Sequence, residues 1–179
     1  TPTAQTSGGM QLPPNSYNVP TPNCSDPNAH NVSSLSGTLA PGLYCLSGDL
    51  RLNANATLIG HDVTIYIPNG EVRINGGATV QLDAPEPSPD PAPAIPGIVI
   101  YLPSSNHHAV EITGNSGSYF EGTIFAPGAD VNMLGNGGTN AFRAQVIGWN
   151  VEVGGTADTY VVFDENKQYS KPASLELYK

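Results

Sequence analysis

Short runs of alternating apolar and polar residues recur along most of the chain. In VTIYIP, Val63, Ile65 and Ile67 fall on one side, and Thr64 and Tyr66 on the other. In EVRING, Val72 and Ile74 oppose Glu71 and Arg73. A period of two marks a strand with one face buried. Between these runs stand Gly, Asn and Pro, which turn the chain by positive φ, local hydrogen bonding and a fixed φ respectively. The elements predicted are therefore short strands joined by tight turns, with no long amphipathic helix.

The runs also repeat. GDLRLNANATL (48–58) is echoed by GEVRINGGATV (70–80). Leu50, Leu52, Ala54, Ala56 and Leu58 fall on Val72, Ile74, Gly76, Ala78 and Val80, each 22 positions on. Extended backwards, LYC (43–45) falls on IYI (65–67), which sets Tyr44 over Tyr66. Looser copies follow, with Gly114, Gly135 and Gly154 in matching places at steps of 21 and 19. The units lie near 39–60, 61–82, 97–120, 121–143 and 144–164. Several strands per unit at such a period describe the coil of a parallel β-helix, each coil stacked about 4.8 Å above the last. A β-sandwich has no reason to repeat in register. The predicted fold is an all-β, single-domain, right-handed parallel β-helix of about five coils over residues 38–164, its hand following the bias of parallel crossovers.

Three stretches depart from the repeat. DAPEPSPDPAPAIP (83–96) is too rich in Pro to join a ladder and is expected to protrude as an extended loop. Residues 1–37, rich in Pro, Asn and Ser, read as a cap or linker. Residues 165–179 read as a tail or capping strand. The two cysteines, Cys24 and Cys45, suit a disulfide whose short loop is worth about 3 kcal/mol in the chain-entropy model. With Cys45 facing inward on the first coil, the bridge would pin the N-terminal segment over the open end of the helix and cover bare strand edges.

Charge narrows the function classes. Six Lys and Arg face fifteen acids, for a net charge of −9. Phosphate binding needs clustered cations, so nucleic acid and anionic membrane surfaces are excluded as partners. No run of 18 apolar residues spans a bilayer. The opening TPTAQTSGGM lacks the charged and apolar regions of a signal peptide and reads as the start of a mature or trimmed chain. The cysteine pair, few Lys and many Asn, Ser and Thr point to a secreted, extracellular or cell-surface location.

Stacked coils turn repeats into columns. One outward column reads Tyr44, Tyr66, Tyr101, Phe125, Gln145. It is either an aromatic stack lying beneath a terminal segment, or a partner interface or platform for sugar rings. A second column reads Arg51, Arg73, Glu111, Asn132, Glu152. It is expected to be a solvated face in which Arg73 pairs with Glu111 and Asp49 or Glu71 offsets Arg51 against Arg73, a carbohydrate cleft being the alternative. Glu111 and Glu152, two coils and about 9.6 Å apart, with Asp130 between, are the best carboxylate set. Glycoside hydrolysis uses pairs at about 5–9.5 Å; this set is a poor one, no Asp-Asp pair stands in the chain, and six scattered cations form no basic cluster for a lyase, so no catalytic residue is assigned and no enzymatic activity is expected. No metal ligand or cofactor is expected either. GADVNMLGNGG lacks spaced Asp residues, His107 and His108 point apart, and His30 and His61 have no evident partner. Asn31 and Asn55 begin glycosylation sequons.

The stretch GNSGSYFEGTIFAPGADVNMLGNG, followed by AQVIGWNVEVGG and YVVFD, resembles the C-terminal β-helical domain of bacterial TadG-like proteins of Tad (Flp) pilus assembly. GHDVTIYIPNGEVRINGGATVQLDAP and IPGIVIYLP fit the same domain, and the resemblance covers roughly 38–164. It implies a secreted or envelope-anchored bacterial module without known catalysis, and it transfers no functional residues. The expected function is a non-enzymatic structural or adhesive surface module, pilus-associated or a self-assembling filament subunit. Its partners would be further copies, met through β-helix ends or terminal segments, or surface glycans. A carbohydrate-binding or polysaccharide-cleaving β-helix is the alternative.

Overall fold

The computed structural model describes residues 19–87, 91–115, 117–135, 142–155 and Tyr169. A partial turn opens the fold with β1 (His30–Val32) and β2 (Gly37–Leu39). The first full coil carries β3 (Gly42–Leu46), β4 (Leu50–Leu52) and β5 (Thr57–Gly60). The second carries β6 (Val63–Tyr66), β7 (Val72–Ile74) and β8 (Thr79–Asp83). After the Pro-rich insertion come β9 (Ile98–Tyr101), β10 (Val110–Gly114) and two long strands that run around the corners, β11 (Tyr119–Gly135) and β12 (Phe142–Gly155). Every strand pairing is parallel, and the described residues contain no helix. The protein is a parallel β-helix of about five coils.

The coil has three faces. Face one stacks β1, β3, β6 and β9 under the 123–126 and 145–148 parts of β11 and β12. Face two stacks β4, β7 and β10 under 130–135 and 150–155. Face three stacks β2, β5 and β8 under 119–121 and 142–144. Like side chains lie above like. One inward column on face two reads Leu52, Ile74, Ile112, Met133, Val153, and its first four members are buried. Such columns form one apolar core, with Phe120, Leu58, Leu82 and Ile100 among its largest members.

The corners are held by buried and half-buried polar side chains and by glycine. Asn106 donates from its amide to the carbonyls of Ile67 and Gly70 at 3.0 Å each, and accepts from the His108 N–H at 3.0 Å. Asn115 does the same for Gly76 and Ala78, at 2.9 and 2.7 Å. A buried amide is tolerated because its bonds are made. A Cβ on Gly70 would lie 2.5 Å from the Gly48 carbonyl oxygen, so that corner stacks closely only with glycine there.

The structure corrects five sequence-based expectations. Tyr44 pairs with Ile65, not Tyr66, and Cys45 takes the place above Tyr66. The step is 21 on this face but 22 from Leu50 to Val72, because the second coil carries one extra residue at the corner (PNGE, 68–71, against SGD, 47–49). The column also ends on Ile147 above Phe125; Gln145 pairs with Thr123, and Gly135 pairs with Gly155, not Gly154. Cys45 consequently faces outward beside Leu43 and Ala94, and its disulfide to Cys24 (Cα–Cα 5.9 Å) fastens the N-terminal segment along face one, not over the open end. The end is covered instead by β1, by Leu35 and by Tyr44, whose ring stacks on His30 at 4.6 Å and whose hydroxyl donates to the Ala40 carbonyl at 2.9 Å. Finally, the insertion does not simply protrude: its returning end buries Ala94 and Ile95 on face one.

Candidate functional site

Two outward surfaces carry the chemistry-bearing residues. On face one the column is Cys45, Tyr66, Tyr101, Phe125, Ile147. Tyr66 meets Tyr101 edge-on at 5.5 Å, and Tyr101 meets Phe125 at 5.0 Å. Tyr101 and Phe125 are each 5% exposed. Val19, Ile95 and Tyr169 pack over them, and the Tyr169 N–H donates to Thr123 Oγ1 at 3.0 Å. Thr64, fully buried, staples the insertion down: its hydroxyl accepts from the Ile95 N–H and donates to the Ile98 carbonyl, both at 2.9 Å. Burial pushes the Tyr66 and Tyr101 phenols above their ordinary range, a hydrogen bond with Thr21 opposing this at Tyr101. Of the two readings of this column, the structure shows the stack lying beneath other parts of the chain.

On face two the predicted polar column is in register: Arg51 over Arg73, then Glu111, Asn132 and Glu152. Arg73 Nη2 meets Glu111 Oε2 at 3.1 Å. Arg51 is flanked by both expected acids, Asp49 and Glu71, each at 3.1 Å. The Glu71 N–H donates to Asp49 Oδ1 at 3.0 Å, and this bond above all holds the Asp49 carboxyl below its usual range. Between the strands lies an open groove of about 670 Å³ lined by Arg51, Asn53, Arg73, Asn75, Glu111 and Thr113. Glu111 spends its carboxylate on Arg73, Asn132 lies between it and Glu152 in the column, and Asp130 pairs in the ladder with Asn150.

A third column escaped the sequence reading. His61, which the sequence left without a partner, bonds through Nδ1 to Asp83 Oδ2, and Asp83 Oδ1 accepts from the Asp62 N–H at 2.9 Å. Asp83 pairs in the ladder with Glu121, and Glu121 with Arg143. The 22-residue step that aligned the first two coils also links His61 to Asp83 and would have found the pair. His30 also has a partner, in Tyr44. His107 Nδ1 sits 2.9 Å from the Gly128 carbonyl, serving a turn. The Asn31 sequon amide is engaged, donating to the Cys24 carbonyl at 3.0 Å, while Asn55 stands exposed in a turn at φ 69°. Among the described residues no group of His, Cys, Asp and Glu is placed to hold a metal ion.

No curated protein and no solved structure matches the chain. A family match covers residues 48–168, from the first corner of face two to beyond the last described coil. The chain belongs to the family described as Domain of unknown function (DUF7305).

Proposed function

We propose that the protein is a non-enzymatic structural or adhesive module of a bacterial cell surface, of the pilus-associated kind implied by its resemblance to TadG-like domains. One observation carries the reading: the aromatic column and the arginines of the polar column are occupied within the chain itself. The aromatic column is buried under the chain's own segments, and the arginines of the polar column are matched to carboxylates on the same or adjacent coils. The disulfide fits an oxidising compartment. Protease shaving of intact source cells, with thiol alkylation of the recovered chain, tests the proposal. A surface-accessible chain with both cysteines oxidised is expected. A chain protected inside the cell with free thiols would overturn it.

A second reading, glycan binding, is favoured by the open groove on face two, whose Asn, Thr, Arg and Glu side chains offer the donors and acceptors that sugar hydroxyls use. A glycan array together with a reducing-sugar assay on pectin, alginate and chitin separates the two readings. Retention of one glycan class, lost on Arg73→Ala, would favour the groove, and blank arrays would remove it.

A further inference from the structure

The two ends of the β-helix are unlike. At the first coil the edge strands are three residues each, Leu35 and Tyr44 are buried, and His30 lies on the Tyr44 ring. Short, capped edges are how sheets avoid pairing with other chains. At the last coil β12 runs 14 residues, pairs with β11 on one side, and meets no strand on the other among the described residues. Its inward positions on face two are uncovered: Val151 and Val153, which stack on the buried Val131 and Met133, are 41% and 50% exposed, and Trp149 at the corner is 70% exposed, whereas Ala144 on face three is buried.

We propose that this edge pairs with β12 of a second copy of the chain, giving a closed tail-to-tail dimer. An open filament would need the blunted first coil as its other half, whereas a two-fold contact uses the same surface twice and closes. Charge selects the register. A two-fold axis through the face-one part of β12, perpendicular to the helix axis, sets residues 150–155 of one copy antiparallel to 142–144 of the other. Inward positions then meet inward ones, with Val151 across from Ala144. The exposed Arg143 faces the exposed Glu152 of the second copy, and the symmetry makes this ion pair twice. The inference goes beyond the surface-module reading and does not rest on it.

The test is sedimentation of the full chain alone, as the variants Arg143→Glu and Glu152→Arg, and as their equimolar mixture, with circular dichroism confirming that each folds. The wild type is expected to be a dimer. Each variant alone sets like charges across both contacts and is expected to weaken association about tenfold or more. The mixture restores two opposite-charge contacts and is expected to regain a heterodimer. Three results would each overturn the proposal: a wild-type monomer, whether or not its β12 amides resist hydrogen exchange; a wild-type filament; or a dimer equally stable in both variants and in their mixture.

Discussion

Face one and face two carry outward columns over the same coils, and the fold uses them in opposite ways. Face one stacks aromatic rings and then hides them under Val19, Ile95 and Tyr169, with Thr64 and a disulfide fastening the cover. Face two lines up arginines and carboxylates and leaves them in water. Burying rings removes large apolar area from solvent, while charges exposed at 3.1 Å gain little over hydration. Face one should therefore hold the stability and face two should be nearly free to vary, which is the condition for a surface that meets partners.

The sharpest way to break that contrast is Tyr101→Ala. The ring is 5% exposed and sits between Tyr66 and Phe125. Removing a buried aromatic costs about 3–5 kcal/mol. Urea unfolding should show that loss in the midpoint with the slope unchanged. A cost below about 1 kcal/mol, the scale of exposed sites, would mean that the cover is loosely held and the column open to ligands. Next comes the double substitution Cys24→Ser with Cys45→Ser, expected to cost about 3 kcal/mol. Because the bridge fastens the cover to face one, the variant should also raise hydrogen exchange at Tyr66 and Tyr101 while leaving face two unchanged. Uniform loss of protection across both faces would put the bridge in the global fold and not in the cover.

Thr64→Val tests the same cover more gently. It keeps the shape but strands the Ile95 N–H and the Ile98 carbonyl. Orphaned buried groups cost about 1–3 kcal/mol. Proteolysis of the 83–96 segment should accelerate in step with the loss. An unchanged cleavage rate would show that the hydroxyl does not hold the insertion.

Legibility followed the same divide. The polar column of face two could be read directly, since Arg51, Arg73, Glu111, Asn132 and Glu152 sit where the repeat puts them. Parallel stacking turns sequence spacing into spatial order, and no distant segment intervenes. Face one slipped by one position because a single extra residue at the 68–71 corner changes the step, and period-two strands send every side chain to the opposite face on such a slip. LYC and IYI read alike in both registers, so apolar pattern alone could not choose. The outward aromatics suggested a cover, but which residues supply it had no local signal: Val19, Ile95 and Tyr169 come from three separated parts of the chain. The His61–Asp83 pair was legible in principle, being one repeat apart, but one partner lay where the Pro-rich insertion was expected to begin.

On the open face, a double-mutant cycle on Arg73→Ala and Glu111→Ala measures the pair directly. Exposed ion pairs typically couple by about 0.2–1 kcal/mol, falling with added salt. A coupling well above that range would mean that the groove is drier than its exposure implies, and would favour a ligand cleft.

The smallest effect belongs to Asp49, and its sign is fixed by the bond from the Glu71 N–H that lowers its pKa. A carboxyl depressed in the folded state binds protons less readily there than in the unfolded chain. Its stabilisation is present above the ordinary Asp value of about 3.9 and fades as pH falls through the lower folded value. The difference in urea midpoint between wild type and Asp49→Asn should thus be constant from neutrality to about pH 5 and shrink below about pH 4. A difference that grows on acidification would reverse the assignment, because it would require the folded state to hold the proton more tightly. That would mean that the carboxylate of the polar face is strained by its neighbours instead of being held by the coil above.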